Sequence, residues 1–405
     1  MDYLTSSNFN QGRGEKMLLD INSCFATIEQ QANPLLRGRE VVVAAYENGG
    51  GCILAASREA KKLGIKTGWR VGEAQKICPN IIVLTPDVEK YRFINRGLKK
   101  ILLKFSPDVQ AKSIDEFAVN FKGIEGDLKE RALRIKKEIR EKLGEWITVS
   151  IGIGPNIFLA KVASNLQKPD GLTEINKDNF WEIYEKLKLT DLHGINFKTA
   201  YKLEVNGVKN PQDFYQCSRQ QLKSIFHSVC ADYWYWRLRG FEIDDKKREN
   251  KKSFSAIFSL KIPAKNRQEL TAIFYQLCLK VGQRCDRQKM EALGIMWWGG
   301  GNNININGKL RIKEGMINGW EMFSKIYPKI PEFSGEIKKA VVAIYDFQPK
   351  SWQGDIFGKR QKFMRETEVA QMINLKFGEG TIFPGTILNS KRIPNFIGFG
   401  NVDQE

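Results

Sequence analysis

Ser113-Ile114-Asp115-Glu116 sets two carboxylates side by side, directly after the alternating run Val109-Gln110-Ala111-Lys112-Ser113-Ile114. Adjacent carboxylates repel, so a fold keeps them at low cost when water solvates them or when a cation stands between them. The alternation before the pair and Phe117-Ala118-Val119 after it read as two strands, which places the acids at a strand end or hairpin. A third acid, Asp20, interrupts the apolar run Met17-Leu18-Leu19-Asp20-Ile21-Asn22-Ser23-Cys24-Phe25. Three carboxylates on neighbouring strands of one sheet would form an oxygen-ligand site for one or two Mg²⁺ ions. The plainer alternative is a solvated acidic turn.

Outward from these acids, the composition narrows the classes of function. The 405 residues suffice for two to four domains, each with its own core. Lys and Arg number 64 against 46 Asp and Glu, a net charge of +18, which points to an anionic partner. The basic residues are spread along the chain, which favours nucleic acid over a membrane surface that would recruit a short polybasic segment. Seven cysteines with no CxxC pair, and only two histidines, argue against a zinc site or disulfide framework and fit a reducing cytoplasm. No apolar run is long enough for a membrane span. Residues 1–15 lack the apolar core of a signal peptide and read as a flexible tail.

Further along, Val41 to Ala44 reads as a buried strand, and Ser57 as the cap of a helix that begins Arg58-Glu59-Ala60-Lys61 and ends near Gly64. Arg58 and Lys61 lie one turn apart at that helix start, where a triphosphate could bind; a solvated basic face is the alternative. Leu128, Ala132, Ile135, Ile139 and Leu143 recur at helical spacing and belong to a core. Ile147 to Ile151 reads as a strand, and Gly152-Ile153-Gly154 as turn geometry, a lone GxG being weak evidence for phosphate binding. Residues 244–253 are charged and read as a linker. Leu270, Ile273, Phe274, Leu277 and Val281 form a helical stripe. Strands follow near Leu293 to Trp298 and Ile304 to Ile312, then a helix near Met316 to Ile326 and a strand from Ala340 to Tyr345. Of the adjacent Trp297 and Trp298, at least one belongs in the core, because neighbours in a strand face opposite ways.

The segments Asp20-Ile-Asn-Ser-Cys-Phe25-Ala, Ser113-Ile-Asp-Glu116, and Val149-Ser-Ile-Gly-Ile-Gly154-Pro-Asn156 through Lys161 to Lys168-Pro-Asp-Gly171 together resemble the signature segments of the Y-family, lesion-bypass DNA polymerases. The resemblance runs from about residue 16 to at least 347. It implies an α+β, multidomain right-hand architecture with a βαββαβ little finger. The palm would comprise 16–23 and 86–175, the fingers 24–85, the helix-hairpin-helix thumb 176–243, the linker 244–253, the little finger 254–347 and a tail 348–405. It also implies template-directed, Mg²⁺-dependent DNA synthesis of the translesion type, as in SOS mutagenesis, by a monomer acting on primer-template DNA and deoxynucleoside triphosphates.

By the same resemblance Asp20, Asp115 and Glu116 are catalytic and hold two Mg²⁺ ions with the Ile21 carbonyl. Phe25 would press on the sugar of the incoming nucleotide, although by itself the residue reads first as core. Cys52 and Leu54 would line the roof over the nascent base pair. Arg58, Lys61 and Lys168 would meet the triphosphate, with Arg58 standing where many relatives have Tyr and Lys61 where they have Arg. In Leu192-His193-Gly194-Ile195-Asn196-Phe197-Lys198 the residues Gly194, Asn196 and Lys198 would hold a DNA phosphate, Asn196 replacing a second glycine as the residue that best tolerates positive φ. Gln353, Asp355, Ile356 and Phe357 resemble a sliding-clamp hook. Two rivals remain: another palm-type two-metal enzyme such as a nucleotide cyclase, and a catalytically silent DNA-binding scaffold recruited by the clamp.

Overall fold

The computed structural model describes residues 9–244, 252–349, 359–377, 381–383 and 385. The described residues divide into two compact units, 9–244 and 252–385. In the first unit the strands are β1 (Lys16–Ile21), β2 (Val41–Ala44), β3 (Ile53–Ala56), β4 (Ile82–Leu84), β5 (Asp108–Ala111), β6 (Glu116–Asn120), β7 (Val149–Gly154) and β8 (Leu172–Glu174). They form a five-stranded sheet of order β5-β6-β1-β7-β8 and a three-stranded sheet of order β3-β2-β4.

Strand alternation decides what each face of the larger sheet carries. Met17, Leu19 and Ile21 of β1, Phe117 and Val119 of β6, and Val149, Ile151 and Ile153 of β7 join one apolar core. The helices Val88–Leu102 and Leu128–Leu143 close that core with Leu98, Ile101, Ala132, Ile135 and Ile139. On the opposite face Leu18 lies across from Gly152, and Asp20 across from Ser150. The helix Ile157–Leu166 packs there directly on the backbone. A Cβ on Gly152 would stand 2.0 Å from the Ala160 carbonyl oxygen and 2.3 Å from the Ser164 nitrogen, and one on Gly154 would stand 2.8 Å from the Ala160 nitrogen. The Gly152-Ile153-Gly154 segment is therefore strand rather than turn. Its glycines remove side chains where a helix must approach closely, and β7 starts at Val149 rather than Ile147.

A second apolar cluster belongs to the small helices of residues 180–238, with Phe158, Leu159, Val162 and Ala163 reaching into it from the Ile157–Leu166 helix. Of residues 9–15, expected within a flexible tail, Phe9 joins this cluster and Asn10 is bonded beside it. Phe9 is buried and stacks on Phe180 with ring centroids 4.1 Å apart. The Asn10 amide donates to the Arg239 carbonyl at 2.8 Å, and Asn10 Nδ2 donates to the Gly240 carbonyl at 2.9 Å. A single aromatic docking into an apolar cluster suffices to fix a segment whose composition is otherwise that of a loop.

Arg239 is buried in the same region. Its guanidinium donates to the Tyr235 carbonyl at 3.0 Å and to the Tyr215 carbonyl, and lies 3.6 Å from the centroid of the Tyr235 ring. Arg239→Met keeps the volume but leaves both carbonyls short of a donor. The expected cost is about 3 kcal/mol, read as a lower midpoint in urea denaturation.

The second unit is a four-stranded antiparallel sheet of order β11-β10-β12-β9, with β9 (Ser253–Ala264), β10 (Met290–Gly300), β11 (Asn305–Met316) and β12 (Ile337–Pro349). With the helices Arg267–Arg287 and Gly319–Ile326 the chain order is strand, helix, strand, strand, helix, strand. Leu270, Phe274, Leu277 and Val281 face the sheet. Trp297 is buried and Trp298 half-buried, as the alternation requires. The charged run 244–253 is not wholly linker: Asp244 is paired with Arg237 at 2.7 Å, and Ser253 opens β9. A helix Lys359–Phe377 follows, with Val369, Met372 and Phe377 exposed. Among the described residues no helix is long and apolar enough to cross a membrane.

Candidate active site

β1 and β6 pair so that Asp20 stands opposite Glu116, and the Ile21 amide donates to the Asp115 carbonyl at 3.0 Å. The hairpin between β5 and β6 turns over residues 112–115, so Asp115 is its last turn residue and Glu116 the first of β6. Asp20 is 6% exposed, the other two acids half-buried. Burial raises the Asp115 carboxyl above its ordinary range. The Ser113 hydroxyl, which donates to Asp115 Oδ1, opposes that rise, and the charges of Asp20 and Glu116 add to it.

A lysine completes the arrangement. Lys161, 8% exposed on the Ile157–Leu166 helix, places its ammonium 3.0 Å from Asp20 Oδ2 and in contact with Glu116 Oε1. One ammonium touching both acids thus brings the two carboxylates to a common cation. Burial alone would lower the Lys161 pKa, but the charges of Asp20 and Glu116 outweigh it and raise the group. Lys168 also reaches Asp20 Oδ2, at 3.0 Å. Its turn, from Gln167 to Gly171, contains a cis Lys168–Pro169 peptide.

The helix Arg58–Lys62 is capped by Ser57, whose side chain accepts from the Ala60 amide. Arg58 donates to the Thr148 hydroxyl, and Lys61 Nζ lies 2.8 Å from Ser23 Oγ. The Lys61 ammonium is lowered first by burial, then by the nearby charge of Lys168 and, more weakly, of Arg58; Asp20 opposes the shift. Lys161 and Lys168 contact Asp20 and Lys61 lies within reach of its charge, so lysines from three segments crowd around one carboxylate. Such crowding is costly unless a polyanion joins them.

Other expected residues fall differently. Phe25 is 2% exposed and stacks on Tyr91 with centroids 4.4 Å apart. Cys52 is half-buried and bridged to Arg70, and Leu54 is half-buried against the core. Gly194 has φ +99°, but Asn196 does not share that conformation. At φ −92° it caps the helix Phe197–Val205, its side chain accepting from the Thr199 amide, since an Asn just before a helix gains more from capping than from a left-handed turn. Lys198 is exposed. Gln353, Asp355, Ile356 and Phe357 lie outside the described residues.

Among the described residues no three such side chains are placed to hold a metal ion as they stand, and Lys161 occupies the space between Asp20 and Glu116. The donor set itself fits Mg²⁺: hard carboxylate oxygens on adjacent strands, with burial first and then the charges of Asp20 and Glu116 lifting Asp115. Sequence reading named two residues here without giving them a role. Lys161 was legible as the one charge in Ile157-Phe-Leu-Ala-Lys-Val-Ala-Ser-Asn-Leu166; Asn22, buried two residues after Asp20, gave no comparable signal.

The impB/mucB/samB family model matches residues 19–165. The chain is 30% identical over 280 residues to a DNA polymerase IV of Bacillus velezensis, covering 68% of this chain and 67% of that protein. It is 31% identical to DNA polymerase IV 1 of Bacillus subtilis over the same shares. A solved Y-family DNA polymerase chimera superposes with a TM-score of 0.71 at 21% identity, covering 82% of this chain and 99% of that one. The chain belongs to the Y family of DNA polymerases.

Proposed function

We infer that this chain is a DNA-directed DNA polymerase of the translesion type, adding deoxynucleotides to a primer 3′ end on a template strand. The observation that carries the reading is the gathering at one end of the sheet of Asp20, Asp115 and Glu116, with Lys161, Lys168, Lys61 and Arg58 around them.

Asp20, Asp115 and Glu116, with the Ile21 carbonyl, would hold two Mg²⁺ ions. When bound, Mg²⁺ supplies Lewis-acid chemistry, acidifying the primer hydroxyl and neutralising the leaving pyrophosphate. Lys161 keeps Asp20 and Glu116 together. Lys168, Lys61 and Arg58 receive the triphosphate; the ammonium groups act as point charges, while Arg58 offers a planar fork. The buried core under β1 and β6 excludes water from one side of the acids. Intact clustering of all three carboxylates disfavours a silent scaffold.

The test is extension of a primed template across an abasic site, with Mg²⁺ and with chelator; no extension on damaged or undamaged template would remove the enzymatic reading. Lys168→Met should raise the KM for a deoxynucleoside triphosphate about 10-fold, the worth of one charge-assisted contact, in single-nucleotide insertion assays. Recruitment by a sliding clamp through Gln353 to Phe357 rests on that sequence alone, and a labelled peptide of these residues titrated with purified clamp tests it. Action in the cytoplasm as a monomer is part of the same proposal.

A further inference from the structure

Asn22 is 4% exposed, and its carboxamide is engaged at both ends. Nδ2 donates to Ser150 Oγ at 2.8 Å, while Oδ1 accepts from the Asp170 amide at 2.8 Å and the Thr148 hydroxyl at 3.2 Å. Ser150 Oγ also accepts from the Gly171 amide at 3.4 Å. The two amides that follow Lys168–Pro169 therefore both end on side chains of the sheet. From the far side Lys136 holds the Asp170 carboxylate at 3.1 Å, and Arg140 contacts it too. The turn has little room to move: Asp170 sits at φ +58°, and a Cβ on Gly171 would stand 1.7 Å from the Gln167 carbonyl oxygen. This clamped turn carries Lys168, whose ammonium reaches Asp20, two residues before Asn22.

The network has a second arm. The Thr148 hydroxyl that donates to Asn22 also receives the Arg58 guanidinium. A hydroxyl can donate once while accepting from another group, so the chain Arg58, Thr148, Asn22, Asp170 is chemically consistent. One buried carboxamide thus joins the Arg58–Lys62 helix to the Lys168 turn and ties both to the strand that bears Asp20.

We propose that Asn22 is a positioning residue that sets the spacing of Arg58 and Lys168, and thereby the fit of the site to the triphosphate of the incoming nucleotide. The proposal rests on the reading of Lys168 and Arg58 as triphosphate-binding groups. Asn22 touches no substrate in this role; it fixes where two cations stand. Preorganised donors lose affinity when the groups that hold them are freed.

The experiment is single-nucleotide insertion by the full chain on a primed template, with kcat corrected for the active fraction by burst titration. Asn22→Ala should raise the nucleotide KM about 10-fold, with kcat falling far less, because buried hydrogen bonds of this kind are worth about that factor. Thr148→Val, which cuts only the Arg58 arm, should raise KM by a smaller factor. In a Lys168→Met background the effect of Asn22→Ala on KM should shrink to about that of Thr148→Val, since only the Arg58 arm is left to position. If Lys168→Met leaves KM unchanged, the triphosphate reading fails and takes this proposal with it. If Lys168→Met raises KM while Asn22→Ala lowers only kcat and thermal stability, Asn22 is merely structural and the proposal alone is overturned. Should Asn22→Ala fail to fold, Thr148→Val and Ser150→Ala carry the test, and an unchanged KM in both overturns it.

Discussion

Asp115→Asn is expected to reduce single-turnover nucleotide insertion by about 10³-fold or more, since a carboxylate that holds a catalytic metal contributes several kcal/mol to the chemical step. The substitution keeps the shape of the side chain and removes one anionic oxygen from a cluster whose charge the chemistry requires. Binding of primer-template DNA should barely change, because that affinity comes from basic residues spread along the chain. Folding should not suffer either. Asp115 is held above its ordinary range by burial and by Asp20 and Glu116, so loss of its charge relieves repulsion. Insertion kinetics, fluorescence anisotropy with labelled DNA and thermal unfolding separate the three effects. Unimpaired insertion by this variant would place the active site elsewhere.

The second large effect concerns a residue without a side chain. Gly152→Ala forces a methyl group to within 2.0 Å of the Ala160 carbonyl oxygen and 2.3 Å of the Ser164 nitrogen, both backbone atoms of the packed helix. No rotamer change relieves a backbone clash, so the Ile157–Leu166 helix must lift from β7. Overpacking of this kind costs about 3 kcal/mol, equivalent to a fall of roughly 6–12 °C in the unfolding temperature of a unit this size. Because the same helix carries Lys161, activity should fall beyond what the lost folded fraction explains. Gly154→Ala, whose nearest clash is 2.8 Å, should cost less. Differential scanning calorimetry of both variants beside insertion assays checks the order.

Much of this was legible in the chain itself, for physical reasons that can be traced to particular positions. Asp20 and the Asp115–Glu116 pair stood out because each breaks an apolar, strand-like run, and a charge tolerated there needs a partner. The helix Leu128–Leu143 and the Ser57 cap followed from local rules of spacing and hydrogen bonding. What escaped depended on contacts between distant segments. Gly152 looks like a turn residue until the helix above it is known. Asn196 suits a left-handed turn or a cap equally well, and only the start of the helix at Phe197 decides. Phe9 lies among Ser, Asn, Gly and Gln, and its docking partner Phe180 is 171 positions away. Phe25 satisfies both a core and a ligand pattern, and its stacking on Tyr91 meets the first.

The facing of Asp20 and Glu116 follows from an unbroken ladder that starts with Lys16 against Asn120. Because side chains alternate between faces, one residue inserted into either rung series would send one acid through the sheet into the company of Met17, Leu19 and Phe117. Insertions near Gly123 or Gly126, outside the ladder, would leave the pairing untouched. Frame-preserving indels thus divide sharply along this chain: harmless in the loop after β6, and fatal to the centre within 16–20 or 116–120.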